Sequence, residues 1–80
     1  MMTDQPSRVT PREISALLDQ ARNLPADAPL GEQIAYHENK ARLLSRIAAD
    51  LDTAEAHLIA ADAWHYVRGL AARQIAAEVA

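Results

Sequence analysis

Residues 48–56 read Ala48-Ala49-Asp50-Leu51-Asp52-Thr53-Ala54-Glu55-Ala56, and the fold turns on whether a helix runs through them or stops. Asp52 and Thr53 are poor in a helix interior and good at its ends, because their short oxygen-bearing side chains compete for nearby backbone amides. Either can cap a following helix, and Asp52-x-x-Glu55 has capping-box spacing. The stretch contains neither Pro nor Gly, so a single helix over 29–78 in a coiled-coil dimer is the competing arrangement. Projected at 100° per residue, however, the apolar face changes azimuth across the junction. A hairpin is therefore expected.

On the upstream side, Leu30, Ile34, His37, Ala41, Leu44, Ala48 and Leu51 form a heptad-like seam, widened by Leu43 and Ile47. Glu32, Glu38, Asn39, Arg42 and Arg46 lie away from it, and Glu38 precedes Arg42 in the favourable i to i+4 order. The spacing predicts a helix over 29–51. Downstream, Ala56, Ile59, Ala60, Ala63, Trp64, Val67, Leu70 and Ala71 make one face of a helix over 53–78, with Tyr66 at its margin. Gly69 costs that helix about 1 kcal/mol relative to Ala. Leu70-Ala71-Ala72 offers no new cap, so the helix is expected to continue through it.

The only break before this hairpin is Pro25-Ala26-Asp27-Ala28-Pro29, with Asp27 available as a cap and Pro29 tolerated in a first turn. It separates off a shorter helix over 11–23. That helix opens on Thr10-Pro11-Arg12-Glu13, a capping box with Pro at the first helical position, and presents Ile14, Leu17, Leu18, Ala21 and Leu24 at three-and-four spacing. Residues 1–9 are polar, contain Pro6 and lack periodicity, so they read as a flexible leader. The expected fold is all-α: a small three-helix arrangement dominated by a long antiparallel helical hairpin, in one helical domain over 10–80.

Composition limits the core. Of the 80 residues half are hydrophobic, but 18 are Ala and none is Phe, so the helices can approach closely while burying little area. Such a short chain is marginal as a monomer, and a homodimer is expected. Net charge is -3 with scattered basic residues, which is not the basic footprint of a nucleic-acid binder. The absence of Cys removes disulfides and Cys-ligated zinc and fits a reducing compartment. Met1-Met2-Thr3-Asp4-Gln5-Pro6-Ser7 has no signal-peptide pattern, and no apolar run suits a membrane span. A cytoplasmic location follows as the expectation. The excess of Arg over Lys beside abundant Ala fits a GC-rich genome, or a phage or mobile element living in one.

Folding back around Asp52 would bring residues whose numbers sum to about 104 to one level of the antiparallel pair. Tyr36-His37-Glu38 then faces Trp64-His65-Tyr66 and Arg68, with Leu17 and Leu18 of the first helix at the same height. Two roles are expected in this layer. Trp64, His37, Leu17 and Leu18 would hold the helices together, with indole and imidazole N–H groups satisfied by neighbours. Tyr36, His65, Tyr66 and Arg68 would supply an exposed aromatic and Arg surface of the kind found at interaction hot spots. On another side of the third helix, Leu58, Ile75 and Val79 join Ala61, Ala72 and Ala76 as a candidate contact with a second copy.

Other chemistries find less support. His37, His57, His65, Glu38 and Asp62 are potential metal ligands, but His57 and His65 are eight apart, whereas ligands on one helical face stand three or four apart. No Ser or Thr has an evident base partner, and the two glycines, Gly31 and Gly69, are isolated. No catalytic residue, metal or cofactor is assigned.

Thr10-Pro11-Arg12-Glu13 is similar to the opening of some helix-turn-helix regulators, and Ala72-Arg73-Gln74-Ile75-Ala76-Ala77-Glu78-Val79 resembles the first helix of many others. The resemblance implies DNA binding, but no turn and recognition helix follow the second stretch. The leading expectation is a small, non-enzymatic helical module, a regulator or adaptor that binds a larger protein and self-associates. A nucleic-acid-associated regulator with an incomplete or dimer-completed helix-turn-helix is the alternative, and a structural component of a phage or mobile-element assembly is a third.

Overall fold

The computed structural model describes residues 8–79, and most of the expected leader lies outside them. Three helices make up the regular structure: α1 (Pro11–Arg22), α2 (Leu30–Leu51) and α3 (Ala54–Val79). The corner between α2 and α3 is two residues long. Asp52 takes the left-handed conformation (φ 52°, ψ 45°) and its N–H bonds to the Ala48 carbonyl, ending α2. Thr53 then caps α3, its hydroxyl accepting from the Ala56 N–H at 3.1 Å. Of the two residues able to cap, Thr53 does so, because Asp52 is occupied with reversing the chain. The Asp52 carboxylate instead meets His57 Nε2 at 3.0 Å. A single helix through this region is thereby excluded.

The hairpin is antiparallel, as three cross-helix relationships along its length show. Trp64 Nε1 donates to Ser45 Oγ at 2.8 Å, the His37 and Tyr66 rings meet at 4.6 Å, and a Cβ on Gly31 would lie 3.6 Å from Gln74 Nε2. The seam between the two helices holds Ala41, Ala48, Ala60, Val67 and Leu70, and among the described residues Leu70 is the one large side chain that is fully buried. Alanines let the backbones approach but supply little apolar area, and each buried methylene stabilises by only about 0.8 kcal/mol. α3 runs unbroken through Gly69.

α1 opens on the capping box read from the sequence: Thr10 Oγ1 accepts from Glu13 N–H at 3.2 Å, and Glu13 Oε1 accepts from Thr10 N–H at 3.1 Å. It ends at Asn23, whose N–H reaches the Asp19 carbonyl. Asp27 does not cap α2. The helix begins at Leu30 with Pro29 in the cap position and no side-chain cap bond, which leaves Asp27 two residues too early to reach the first free amides. Gln33 Nε2 secures the entry instead, donating to the Ala28 carbonyl at 2.8 Å.

α1 packs on α2 and makes no close approach to α3. Space therefore repeats chain order, α1 beside α2 beside α3. The radius of gyration of 14.6 Å exceeds the roughly 11–12 Å of a compact chain this long. The three helices thus form a layer with two broad faces, leaving much apolar surface uncovered.

Candidate functional site

The two faces differ in chemistry. One carries a groove of about 300 Å³ between α1 and α2, lined by Glu13, Gln20, Asn39, Arg42 and Arg46 around Leu17 and Leu43. Its polar groups engage each other. Arg46 forms an ion pair with Glu13 and donates from Nη2 to the Arg8 carbonyl at 2.9 Å, while Asn39 donates to Gln20 Oε1 at 3.1 Å. The Arg46 guanidinium, followed by the Thr10 N–H, holds the Glu13 carboxyl below its ordinary pKa.

The other face carries a groove of about 360 Å³ between α2 and α3, lined by His37, Lys40, Leu44, Ile59, Asp62, Ala63 and Tyr66. Here the apolar side chains stand open: Tyr66 is 51% exposed and Ile59 49%. Leu51, seven residues beyond Leu44 and so on the same side of α2, is exposed as well. On α1, Ile14 and Leu18 are exposed. They project to the side of Leu17 opposite Glu13, Ala16 and Gln20, away from the polar groove. Five large exposed apolar residues, Ile14, Leu18, Leu51, Ile59 and Tyr66, thus share one face. The remaining three, Leu58, Ile75 and Val79, lie along the outer side of α3.

His37 stands at the Tyr66 end of the apolar face. Its ring meets Tyr36 at 4.8 Å and Tyr66 at 4.6 Å, both edge-on, the arrangement favoured by aromatic quadrupoles. Burial, followed by the charge of Lys40, pushes its pKa below the ordinary imidazole value. This position favours the neutral imidazole over the charged one, since a charged ring would lose hydration against the tyrosines.

The aromatic layer expected from the sequence is therefore divided. Tyr36, His37 and Tyr66 come together, whereas Trp64 turns to the opposite edge of the α2–α3 seam and bonds to Ser45. Two residues apart on a helix means 200° around it. His65 and Arg68 are exposed on the outer side of α3, away from Tyr66. Leu17 lies half-buried opposite Leu43, nearer the Asp52 corner than the Tyr36 level, and Leu18 is 56% exposed. Antiparallel pairing set by Glu13–Arg46 and Gln20–Asn39 accounts for that register. Sequence reasoning did not single out Lys40, Asp62 or Ile59 as groove residues. Their spacing to His37 and Tyr66 was visible, but the edge of the seam on which they fall required the hairpin rotation.

Among the described residues, no three His, Asp or Glu side chains lie close enough together to hold a metal ion. No helix among them is long and apolar enough to cross a membrane. Comparison with protein-family models, with curated proteins and with solved structures gives no match.

Proposed function

We propose that this protein is a small non-enzymatic interaction module, a regulator or adaptor that binds a larger protein through the open face of its helical layer. The reading is carried by five exposed large apolar residues, Ile14, Leu18, Leu51, Ile59 and Tyr66, which helical projection puts on one side of the three helices. Clustered exposed apolar side chains of this kind mark interaction sites. Tyr66, with Tyr36 and His37 behind it, is the anchor: a large amphipathic side chain bordered by the oppositely charged rims of Lys40 and Asp62. The partner is a protein presenting an apolar ridge flanked by both signs of charge. Nucleic acid would ask for a basic face, and a net charge of -3 argues against it. A cytoplasmic setting is part of the proposal, and the Cys-free composition fits a reducing compartment.

Affinity capture from the native host, run in parallel with the parent chain, Tyr66→Ala and Ile59→Asp, tests this. Both side chains are about half exposed, so the variants should retain their helical circular dichroism. A protein recovered by the parent at physiological salt and lost with both variants is the expected result. Recovery that is undiminished by either substitution, or of nucleic acid released by salt, overturns the reading.

A further inference from the structure

The outer side of α3 carries a pattern that the monomer does not use. Leu58, Ala61, His65, Arg68, Ala72, Ile75 and Val79 follow one another at alternating three and four residues, six steps without a slip, the repeat that keeps one stripe facing a partner helix. Leu58, Ile75 and Val79 are 66%, 61% and 79% exposed. No element among the described residues covers them, since α2 lies on the other side and α1 does not reach α3. Gly69 borders the stripe, inside a 26-residue helix where Gly is unfavourable. A Cβ there would meet no atom within 4 Å, so nothing within the monomer calls for glycine. A second helix packed close against this side would.

We propose that the occupant is the α3 helix of a second copy, lying antiparallel across a two-fold axis near residues 67 and 68. Charge complementarity selects this occupant and this register. Asp62 and Arg73 stand on the same flank of the stripe, on either side of its midpoint, and neither forms an ion pair within the described chain. Antiparallel pairing about residues 67 and 68 sets Asp62 of each copy opposite Arg73 of the other, twice by symmetry. The ends of the stripe match too, Leu58 meeting Val79 and Ala61 meeting Ile75, large against large and small against large. Gly69 falls beside the axis, where the helices are nearest. The arrangement places the two Arg68 side chains next to each other, so Arg68 is a cost to the dimer and not its anchor. The stripe lies on a different side of α3 from Tyr66, but Asp62 and Arg73 stand between the two, and Asp62 also rims the Tyr66 groove, so the dimer borders that face without covering Tyr66 itself.

Sedimentation equilibrium on the full chain tests the proposal with a charge reversal. The parent should be dimeric at micromolar concentration, and Ile75→Asp, at an exposed site that leaves the monomer fold intact by circular dichroism, should be monomeric. Asp62→Arg and Arg73→Asp should each weaken the dimer by about fivefold or more, as expected for paired exposed charges meeting their own sign. The double reversal Asp62→Arg with Arg73→Asp should restore it, and Arg68→Leu should tighten it. A parent that stays monomeric to about a hundred micromolar, about a hundredfold above the micromolar dissociation constant expected, overturns the proposal. So does a dimer that survives Ile75→Asp, and so does a double reversal no better than either single one. Loss of the dimer with Tyr66→Ala alone would place the second copy on the other face and overturn it as well.

Discussion

The Trp64 indole donates to the Ser45 hydroxyl at 2.8 Å on one edge of the α2–α3 seam, and the His37–Tyr66 ring contact closes the other edge. Between them the seam is mostly alanine. Alanine surfaces slide past each other at little cost, because methyl groups offer no deep knobs and holes. The two-residue corner at Asp52 and Thr53 and the buried Leu70 set the register of the hairpin, and the Trp64–Ser45 hydrogen bond reinforces it.

Trp64→Ala should accordingly cost about 2 to 3 kcal/mol of stability, below the roughly 3–5 kcal/mol of a fully buried Trp because this one is half-buried. Trp64→Phe keeps most of the area and loses the hydrogen bond, for about 1 kcal/mol. Ser45→Ala should match Trp64→Phe. Urea denaturation measures all three, and a Trp64→Ala change within about 0.5 kcal/mol, the noise of ordinary surface substitutions, would show that the indole holds nothing.

The corner makes a different demand. Asp52 at φ 52° occupies a backbone region that costs most L-residues about 1–2 kcal/mol and Gly nothing. Asp52→Gly should leave stability unchanged or raise it by up to about 1 kcal/mol, even with loss of the exposed contact to His57. Asp52→Val should lower it by about 1–2 kcal/mol, and Thr53→Ala by about 1 kcal/mol through the lost cap. Thermal unfolding that ranks Asp52→Val level with Asp52→Gly would contradict the hairpin corner.

The hairpin was legible because capping is local chemistry. Thr10, Glu13 and Thr53 act within three residues of themselves, so their roles can be read without knowing the tertiary arrangement. Asp27 was misread for the complementary reason: a cap also needs the helix to begin beside it, and Pro29 sets the start at Leu30. Rotation about α3 divides the expected aromatic layer between the two edges of the seam. Matching residues by height along two helices puts Trp64 and Tyr66 together, but height does not say on which edge of the seam each side chain emerges. A 200° separation around α3 sends one to Ser45 and the other to His37. The location of α1 was the least legible feature, since its apolar stripe would fit a bundle with α3 as readily as a layer beside α2.

His37 gives the apolar face a pH response. Its pKa is depressed in the folded protein, so the unfolded chain binds the proton more readily. Stability from this group is complete above the ordinary value of about 6.5 and is lost as pH falls through the depressed folded value. Lys40 on α2 adds to the effect of burial, and the other groups facing the ring are Asp62 on α3 and the neutral Tyr36 and Tyr66. Urea midpoints should drop between pH 7 and pH 5, and His37→Gln should flatten that slope. An unchanged slope in His37→Gln would assign the response to another group.

The last expectation concerns α1, which has no buried residue of its own and touches one neighbour. What holds it is Leu17 and Leu24, both half-buried, the Gln20–Asn39 hydrogen bond, and Arg46. The guanidinium joins Glu13 to the Arg8 carbonyl, bridging the start of α1 to the C-terminal half of α2, although its Nε is buried without an acceptor among the described residues. Local opening draws on the elements with least burial, so α1 should detach before the hairpin separates. Amide exchange in α1 should be at least about tenfold faster than at the centres of α2 and α3, and Arg46→Ala should accelerate it further while leaving the hairpin amides protected. Acid should act like that substitution. The Glu13 carboxyl titrates below its ordinary value, so its contribution is complete above about pH 4.5 and is lost as pH falls through the lowered value. In the parent, exchange corrected for its intrinsic pH dependence should then rise selectively in α1 at low pH. In Glu13→Gln that acid-induced rise should be absent. If α1 and the hairpin exchange with one common opening free energy, in the parent and in Arg46→Ala alike, the chain is a single cooperative unit and Arg46 is not the clamp of α1.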